Sequence, residues 1–316
     1  MKKYTSVQDV DNLEGLVQEA LHLKENPYKY KKLGENKTLG LIFLNPSLRT
    51  RLSTQKAAQN LGMNVMVMNL DKEGWALETK EGAIMNGTTV EHIKDAAAAM
   101  GQYCDIIGIR SFPKLQNREE DYNEELLQQF ITYSKVPIVS LESATRHPLQ
   151  SLADLLTITE NKPAGKKPKV VLTWAPHIKS IPQCVANSFA EWMNQADVEL
   201  VITHPEGYSL ADEFTAGATV TTNQDEALQD ADFVYVKNWS SYEDYGKVLT
   251  DGNGWMMTNE KLQKTNNAKV MHCLPVRRNV ELSDEILDGP NSLVLEQANN
   301  RTYAAQAVLK RMLETM

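Results

Sequence analysis

The stretch LGLIFLNPSLRTRLS, residues 39–53, changes its period in the middle. Leu39 to Leu44 is an apolar run of strand length, continuous enough to be buried on both faces of a parallel sheet. Asn45-Pro46 is turn chemistry, and Ser47-Leu48-Arg49-Thr50 stands at the mouth of a helix that runs to Leu61, where Gly62 supplies the left-handed C-terminal position. Strand, tight turn and helix in that order leave backbone N–H groups and the positive end of the helix dipole pointing at whatever sits at the turn, a cradle for phosphate or carboxylate. The stretch lacks both GxxxxGK[ST] and GxGxxG, so neither a nucleotide P-loop nor a dinucleotide fingerprint is supported. The alternative is an Asn or Ser cap with two solvated arginines.

The same alternation continues outward along the chain. In the first half, strands are predicted at 39–44, 63–69, 104–109 and 136–141, with helices around 50–61, 89–102 and 122–133. NKPAGKKPK, 161–169, is a Lys, Pro and Gly break. Beyond it, 169–174, 198–204, 232–237, 269–274 and 292–296 read as strands, with a helix near 182–196. A last helix at about 299–314 carries Ala304, Val308, Leu309 and Met312 at helical spacing. The expected architecture is α/β, two doubly wound parallel-sheet domains whose facing edges form a cleft. The expected boundaries are 1–148 for the first domain, with 299–316 packing back on it, and 149–298 for the second.

Composition sets limits. The chain has 316 residues, 42% hydrophobic and 23% charged, ample for two cored domains. No run approaches a membrane span, and MKKYTSVQDVDNLEG has no apolar core after its lysines, so a cytoplasmic protein without a signal peptide is expected. The three cysteines, Cys104, Cys184 and Cys273, are too scattered for a disulfide framework or a CxxC metal site. A net charge of −8 argues against nucleic-acid binding, so an anionic ligand must meet a local positive pocket.

Three more elements carry chemistry. In IIGIRSF, Arg110 ends an apolar strand, the end at which open α/β sheets bind ligands; the alternative is a rim ion pair. In LESATRHPLQSLADLLTI, 141–158, Pro148 suits the first turn of a helix, which puts His147 and Gln150 at its start and Leu152, Leu155 and Leu156 inward. An imidazole there either donates to a ligand or simply caps the helix. In VMHCLPVRRN, 270–279, His272 and Cys273 suggest a metal or a nucleophile, but adjacent strand residues point to opposite faces and cannot easily share one metal.

Together SLRTR, a strand-terminal Arg, HPLQ and HCLP, in that order and at those intervals, resemble the aspartate and ornithine carbamoyltransferase family over essentially the whole chain. The resemblance implies a carbamoyl phosphate domain and an amine domain, linked by two interdomain helices, the one after HPLQ and the C-terminal one. It implies that Ser47, Leu48, Arg49 and Thr50 hold the phosphate, that Arg110, His147 and Gln150 bind the carbamoyl end, and that Cys273, Leu274 and Arg301 complete the pocket. Thr50, Arg110, His147 and Cys273 are the implied catalytic groups, Cys273 as a contact near the amine rather than a nucleophile, because direct transfer needs no covalent intermediate. Trp75, in EGWALE, matches a loop that reaches a neighbouring subunit's site, which implies a homotrimer with shared sites; read alone, it is a half-buried surface aromatic. No metal and no cofactor are implied.

The amine is indicated by departures within the family. Ornithine enzymes carry DxxxSMG facing the free α-amino group, whereas this chain reads KNWSSYEDYG at 237–246. That segment, WAPH at 174–177, Glu142 and CLPVRRN resemble the branch acting on N-acylated ornithine, and by that resemblance Glu142, His177, Lys237 and Arg278 line the acyl-ornithine site. For Lys237 the alternative is a solvated strand end. Acetyl-specific members carry glutamate just before the position of Glu91-His92 and succinyl-specific members typically proline; here Val90 departs from both. Valine leaves neutral space where a carboxylate would repel a succinyl group, so N-succinyl-L-ornithine is the expected substrate, ahead of N-acetyl-L-ornithine. A plain ornithine enzyme and a non-catalytic phosphometabolite sensor of the same fold are the remaining alternatives.

Overall fold

The computed structural model describes residues 1–316, the side chain of Asp71 excepted. The chain forms two compact units, Met1–Lys114 with Glu119–Leu149 and Arg301–Met316, and Leu115–Arg118 with Gln150–Asn300. Besides the four-residue excursion at Leu115–Arg118, it passes between them within two helices, Pro148–Asn161 and Val294–Leu313.

The strands of the first unit are β1 (Lys3–Tyr4), β2 (Thr38–Phe43), β3 (Asn64–Asn69), β4 (Leu77–Glu78), β5 (Glu91–His92), β6 (Ile106–Arg110) and β7 (Ile138–Glu142). Five of them make one all-parallel sheet in the order β1-β7-β6-β2-β3, while β4 and β5 pair by themselves. The continuous apolar run of β2 reflects its central place: Leu39, Leu41, Ile42 and Phe43 are buried. The next helix, Arg49–Asn60, ends as expected. Gly62 adopts φ +83°, its N–H donates to Gln59 O at 3.0 Å, and Met63 N donates to Ala58 O at 3.0 Å, so the last carbonyls are satisfied.

The strands of the second unit are β8 (Lys169–Trp174), β9 (Glu199–Thr203), β10 (Thr219–Thr221), β11 (Phe233–Lys237) and β12 (Lys269–Met271). They form a second parallel sheet in the order β10-β9-β8-β11-β12. Val171, Val201, Val234, Val236 and Val270 build its core.

Several boundaries need correction. The strand expected at 292–296 is a single bridge, Ser292 beside Val270, after which the long helix begins at Val294 rather than near 299. A short apolar run looks the same whether it enters a sheet or a buried helical turn. The strand expected to reach 274 stops at Met271, because the His272 N–H goes to the side chain of Gln297 and leaves the ladder. The helix expected at 122–133 is broken at Glu124, which holds φ +48° and accepts hydrogen bonds from the backbone and hydroxyl of Thr145. The helix expected at 89–102 starts at Ile93, since Glu91 and His92 belong to β5.

Candidate active site

At the C-terminal ends of β2, β6 and β7 the first unit gathers its cations. The Arg49–Asn60 helix has Leu48 at its cap and no side-chain hydrogen bond closing its N-terminus, so its first N–H groups are not satisfied by a cap. Ser47 and Arg49 are half-buried there, Leu48 is exposed and Thr50 is buried. The turn is tied to the chain beyond β6 by Phe112 N donating to Asn45 Oδ1 at 2.6 Å.

Behind the helix start lies a connected set. Arg301 Nη2 donates to Thr50 Oγ1 at 2.5 Å and lies 3.4 Å from His147 Nε2. His147 Nε2 is 3.5 Å from Glu142, and the same carboxylate accepts from Arg110 Nη1. Arg110 also stacks its guanidinium 4.3 Å from the Phe112 ring centroid. All five side chains of this set are buried. Burial drives the His147 pKa down to about 3; Glu142 pulls upward, while Arg301 and Arg110 add to the depression. The imidazole is therefore neutral throughout the physiological range.

Trp75 and Val90 come together elsewhere in this unit, on the arm that contains β4 and β5. Trp75 Nε1 donates to Glu91 at 2.8 Å, and Val90 N donates to Ala76 O at 2.9 Å. Both side chains face solvent, 56% and 63% exposed, which a residue serving only its own unit's core would not be.

In the second unit, Lys237 ends β11 and is buried together with Glu281 and His272. His272 Nδ1 accepts from Leu274 N at 2.9 Å, which leaves Nε2 to carry the proton toward Glu281 Oε1 at 3.6 Å. Burial alone would raise the Glu281 pKa, but His272, Lys237 and the Arg277 N–H outweigh it and hold the carboxyl at about 2. Cys273 and Leu274 are half-buried just beyond β12, Leu274 with φ +56°.

Two adjacent arginines then diverge. Arg277 N donates to Glu281 Oε2 at 2.7 Å, and its side chain lies 3.1 Å from His177 Nε2. A guanidinium only donates, so Nε2 is the acceptor and Nδ1–H goes to Lys179 O at 2.9 Å. Partial burial lowers the His177 pKa, the Lys179 carbonyl and Glu281 oppose that, and Lys237 and Arg277 reinforce it. Arg278 turns instead to Asp284 and Asp288, contacting the second through two nitrogens at 2.8 Å. Arg277, which the motif reading did not single out, is the one that meets His177; adjacent arginines in a sequence do not disclose which has carboxylate partners six and ten residues on.

Gln150 was expected to meet the ligand and is buried on the Pro148–Asn161 helix, its Nε2 donating to Asp154 at 2.7 Å. Asp154 and Glu281 were not anticipated. The signal for the first was present: a Gln and an Asp four residues apart on an otherwise apolar helical face. Among the described residues no group of three or more His, Cys, Asp or Glu side chains is arranged to hold a metal ion, and no helix is long and apolar enough to cross a membrane.

Residues 2–160 match the carbamoyl-P binding domain of the aspartate/ornithine carbamoyltransferases, and residues 182–312 match the Asp/Orn binding domain. The chain is 52% identical over 318 residues to an N-succinylornithine carbamoyltransferase of Bacteroides fragilis, covering 100% of both proteins. It is 32% identical over 336 residues to an N-acetylornithine carbamoyltransferase of Xanthomonas campestris pv. campestris, covering 99% of this chain and 98% of that one. A crystal structure of a glutamate-to-valine mutant of an N-acetyl-L-ornithine transcarbamylase, complexed with carbamyl phosphate and N-succinyl-L-norvaline, is similar with a TM-score of 0.91 at 31% identity, covering 99% of this chain and 100% of that one.

Proposed function

The chain belongs to the aspartate/ornithine carbamoyltransferase family, and from that premise we propose that it moves the carbamoyl group of carbamoyl phosphate to the δ-amine of N-succinyl-L-ornithine, giving N-succinyl-L-citrulline and phosphate, in arginine biosynthesis. The observation that carries the reading is the linked set Thr50, Arg301, His147, Glu142 and Arg110 at the strand ends of the first unit.

In this reading Arg49 and the N–H groups at the helix start take the phosphate, joined by Ser47 and Leu48. The uncharged δ-amine attacks the carbamoyl carbon, a new N–C bond forms, and the carbonyl oxygen becomes an oxyanion. The Thr50 hydroxyl, Arg110 and the neutral His147, which still carries one N–H, stabilise that charge. The C–O bond to phosphate then breaks, and the departing phosphate takes the amine proton. With an amine pKa near 10.4, only about one substrate molecule in 10³ is uncharged at neutral pH, so holding that form in place supplies much of the rate. Gln150, Cys273, Leu274 and Arg301 complete the carbamoyl phosphate pocket, Cys273 as a contact near the amine.

His177, Lys237 and Glu142 are assigned to the acyl-ornithine as expected, and Arg277, on the strength of its contact with His177, takes the place expected for Arg278, whose guanidinium is held by Asp284 and Asp288. The succinyl preference rests on Val90 and on the 52% identity to the Bacteroides enzyme. It is also supported by the valine mutant of the acetyl enzyme that holds N-succinyl-L-norvaline, its replaced glutamate being in this reading the counterpart of Val90. The exposed arm with Trp75 completes the site of a neighbouring subunit in a cytoplasmic homotrimer. Assay of citrulline formation from carbamoyl phosphate with free, acetyl and succinyl ornithine tests the proposal. Succinylornithine should win; a preference for acetylornithine overturns the acyl assignment, and no transfer to any of them overturns the activity.

A further inference from the structure

The SLRTR motif, 47–51, holds a second arginine, Arg51, beyond the four residues assigned to the phosphate. Residues two apart on a helix lie about 200° apart around its axis, so Arg49 and Arg51 do not face one anion together. Arg51 is half-buried and engaged elsewhere. Its Nη2 donates to Asn69 Oδ1, and its guanidinium lies 4.7 Å from the Phe43 ring centroid. Phe43 and Asn69 are paired neighbours at the ends of β2 and β3, so the one guanidinium spans both strand ends.

Asn69 stands at the root of the arm. The short helix Leu70–Glu73 follows it, then Gly74 and Trp75. Glu73 reaches back to accept from the Asn69 N–H at 2.8 Å and from its Nδ2 at 2.9 Å. The sense of the Asn69 amide is therefore fixed from both sides: a guanidinium only donates and takes the oxygen, a carboxylate only accepts and takes the NH₂. The Asn69 backbone and side-chain bonds hold the Glu73 carboxyl below the ordinary carboxylate range, partial desolvation opposes them, and the charge of Arg51 adds to them. Arg51, Asn69 and Glu73 thus form one relay from the helix of the phosphate cradle to the segment that carries Trp75.

We propose that Arg51 is a positioning residue for the arm: it fixes the arm's root through Asn69 and so governs binding of the acyl-ornithine, while carbamoyl phosphate is left to Arg49. This rests on the reading that the arm completes the acyl-ornithine site of a neighbouring subunit. A guanidinium suits the task, because a charged bond to an amide oxygen together with stacking on Phe43 fixes its direction, as a point charge on a flexible stem would not. Loss of the anchor leaves Trp75 and Val90 in the chain but adds freedom at the root, which binding must then remove.

The test measures kcat and KM for N-succinyl-L-ornithine, and carbamoyl phosphate affinity by calorimetry, in wild-type protein, Arg51→Ala, Asn69→Ala, the double variant and Trp75→Ala, with folding checked by circular dichroism. Arg51→Ala should raise the KM for succinylornithine roughly tenfold with carbamoyl phosphate affinity unchanged. Asn69→Ala should do the same, and the double variant should be little worse than either, since both break one contact. Additive losses overturn the relay. A comparable loss of carbamoyl phosphate affinity in Arg51→Ala makes Arg51 a phosphate ligand and overturns the proposal. A lowered kcat/KM in Trp75→Ala beside an unchanged one in Arg51→Ala overturns the role of Arg51, whereas unchanged values in both remove the arm from the site and the proposal with it. Should Arg51→Ala not fold, Asn69→Ala decides by the same two measurements.

Discussion

His147 Nε2 and the Glu142 carboxylate face each other across 3.5 Å, yet the histidine is held neutral. Burial outweighs the carboxylate, whose charge is already engaged by Arg110.

That balance has a signature in stability. The folded pKa of about 3 lies below the ordinary histidine value of 6.5, so the unfolded chain takes up the proton first as pH falls. The neutral histidine therefore costs nothing above about pH 6.5, and below that stability falls by roughly 1.4 kcal/mol per pH unit from this one group until about pH 3. His147→Gln should remove this component, so the wild-type minus mutant stability difference, measured by urea unfolding from pH 7 to 4, should slope by about one proton. A flat difference would mean that the imidazole is charged when folded.

The diverging arginines separate binding from structure. Arg277→Ala should raise the KM for succinylornithine by roughly tenfold or more, with the KM for carbamoyl phosphate unchanged, because it deletes a cation beside His177. Arg278→Ala removes a cation already held by Asp284 and Asp288 and should leave both KM values close to wild type. The reverse ranking would place Arg278 in the site and Arg277 outside it.

Glu281 supplies the acid-side counterpart. Its carboxyl, held at about 2, stabilises the fold fully above the ordinary carboxylate pKa of 4.5 and loses that contribution as pH falls toward 2. Glu281→Gln should cost on the order of 2–3 kcal/mol at pH 7, a figure set by the buried partners His272 and Lys237, and the penalty should shrink below about pH 4.5. Equal penalties at pH 7 and pH 3.5 would show that Glu281 is not the charged partner.

What the sequence discloses follows from which interactions are local. Residues 39–62 are legible because the switch from an apolar run to a turn, a helix and then Gly62 is written in consecutive positions, and the second unit's central strands are legible for the same reason. The helix break at Glu124 depends on Thr145, twenty-one residues away, and the end of β12 depends on Gln297. Neither leaves a local mark. The edge strands β1 and β10, two and three residues long, fall below any periodic signal. Thr50, Arg110 and His147 stand in the motifs, Arg301 follows only from the family resemblance, and the structure links the four. Glu281 looks like a solvated acid in the sequence, because burial of a charge is a tertiary fact, whereas Asp154 leaves a local trace in the glutamine four residues before it on an otherwise apolar helical face.

The exposed arm gives a prediction about assembly. If Trp75 serves a neighbouring subunit, Trp75→Ala and Arg110→Ala should each be nearly inactive alone, and a mixture that has exchanged subunits should regain activity through hybrid sites carrying neither defect. Recovery should approach the fraction that random mixing gives to intact sites. No recovery after verified exchange would assign Trp75 to its own subunit.

Val90 bears on the substrate itself. Val90→Glu should shift preference from succinyl toward acetyl ornithine while leaving carbamoyl phosphate affinity nearly unchanged. A new carboxylate about 4 Å from the succinyl carboxylate would disfavour it by roughly 1–4 kcal/mol, depending on how far water screens the pair. Val90 is 63% exposed, so the screened end of that range applies to this unit by itself, about a fivefold change, and coverage by a neighbouring subunit would enlarge it. The acetyl group carries no charge to repel, and its smaller size leaves room for the glutamate. Measuring kcat/KM for both substrates in both proteins isolates discrimination from general damage, since a loss common to the two cancels in their ratio. An unchanged ratio would remove Val90 from the acyl pocket, and the succinyl preference would then have to come from the cations Lys237 and Arg277.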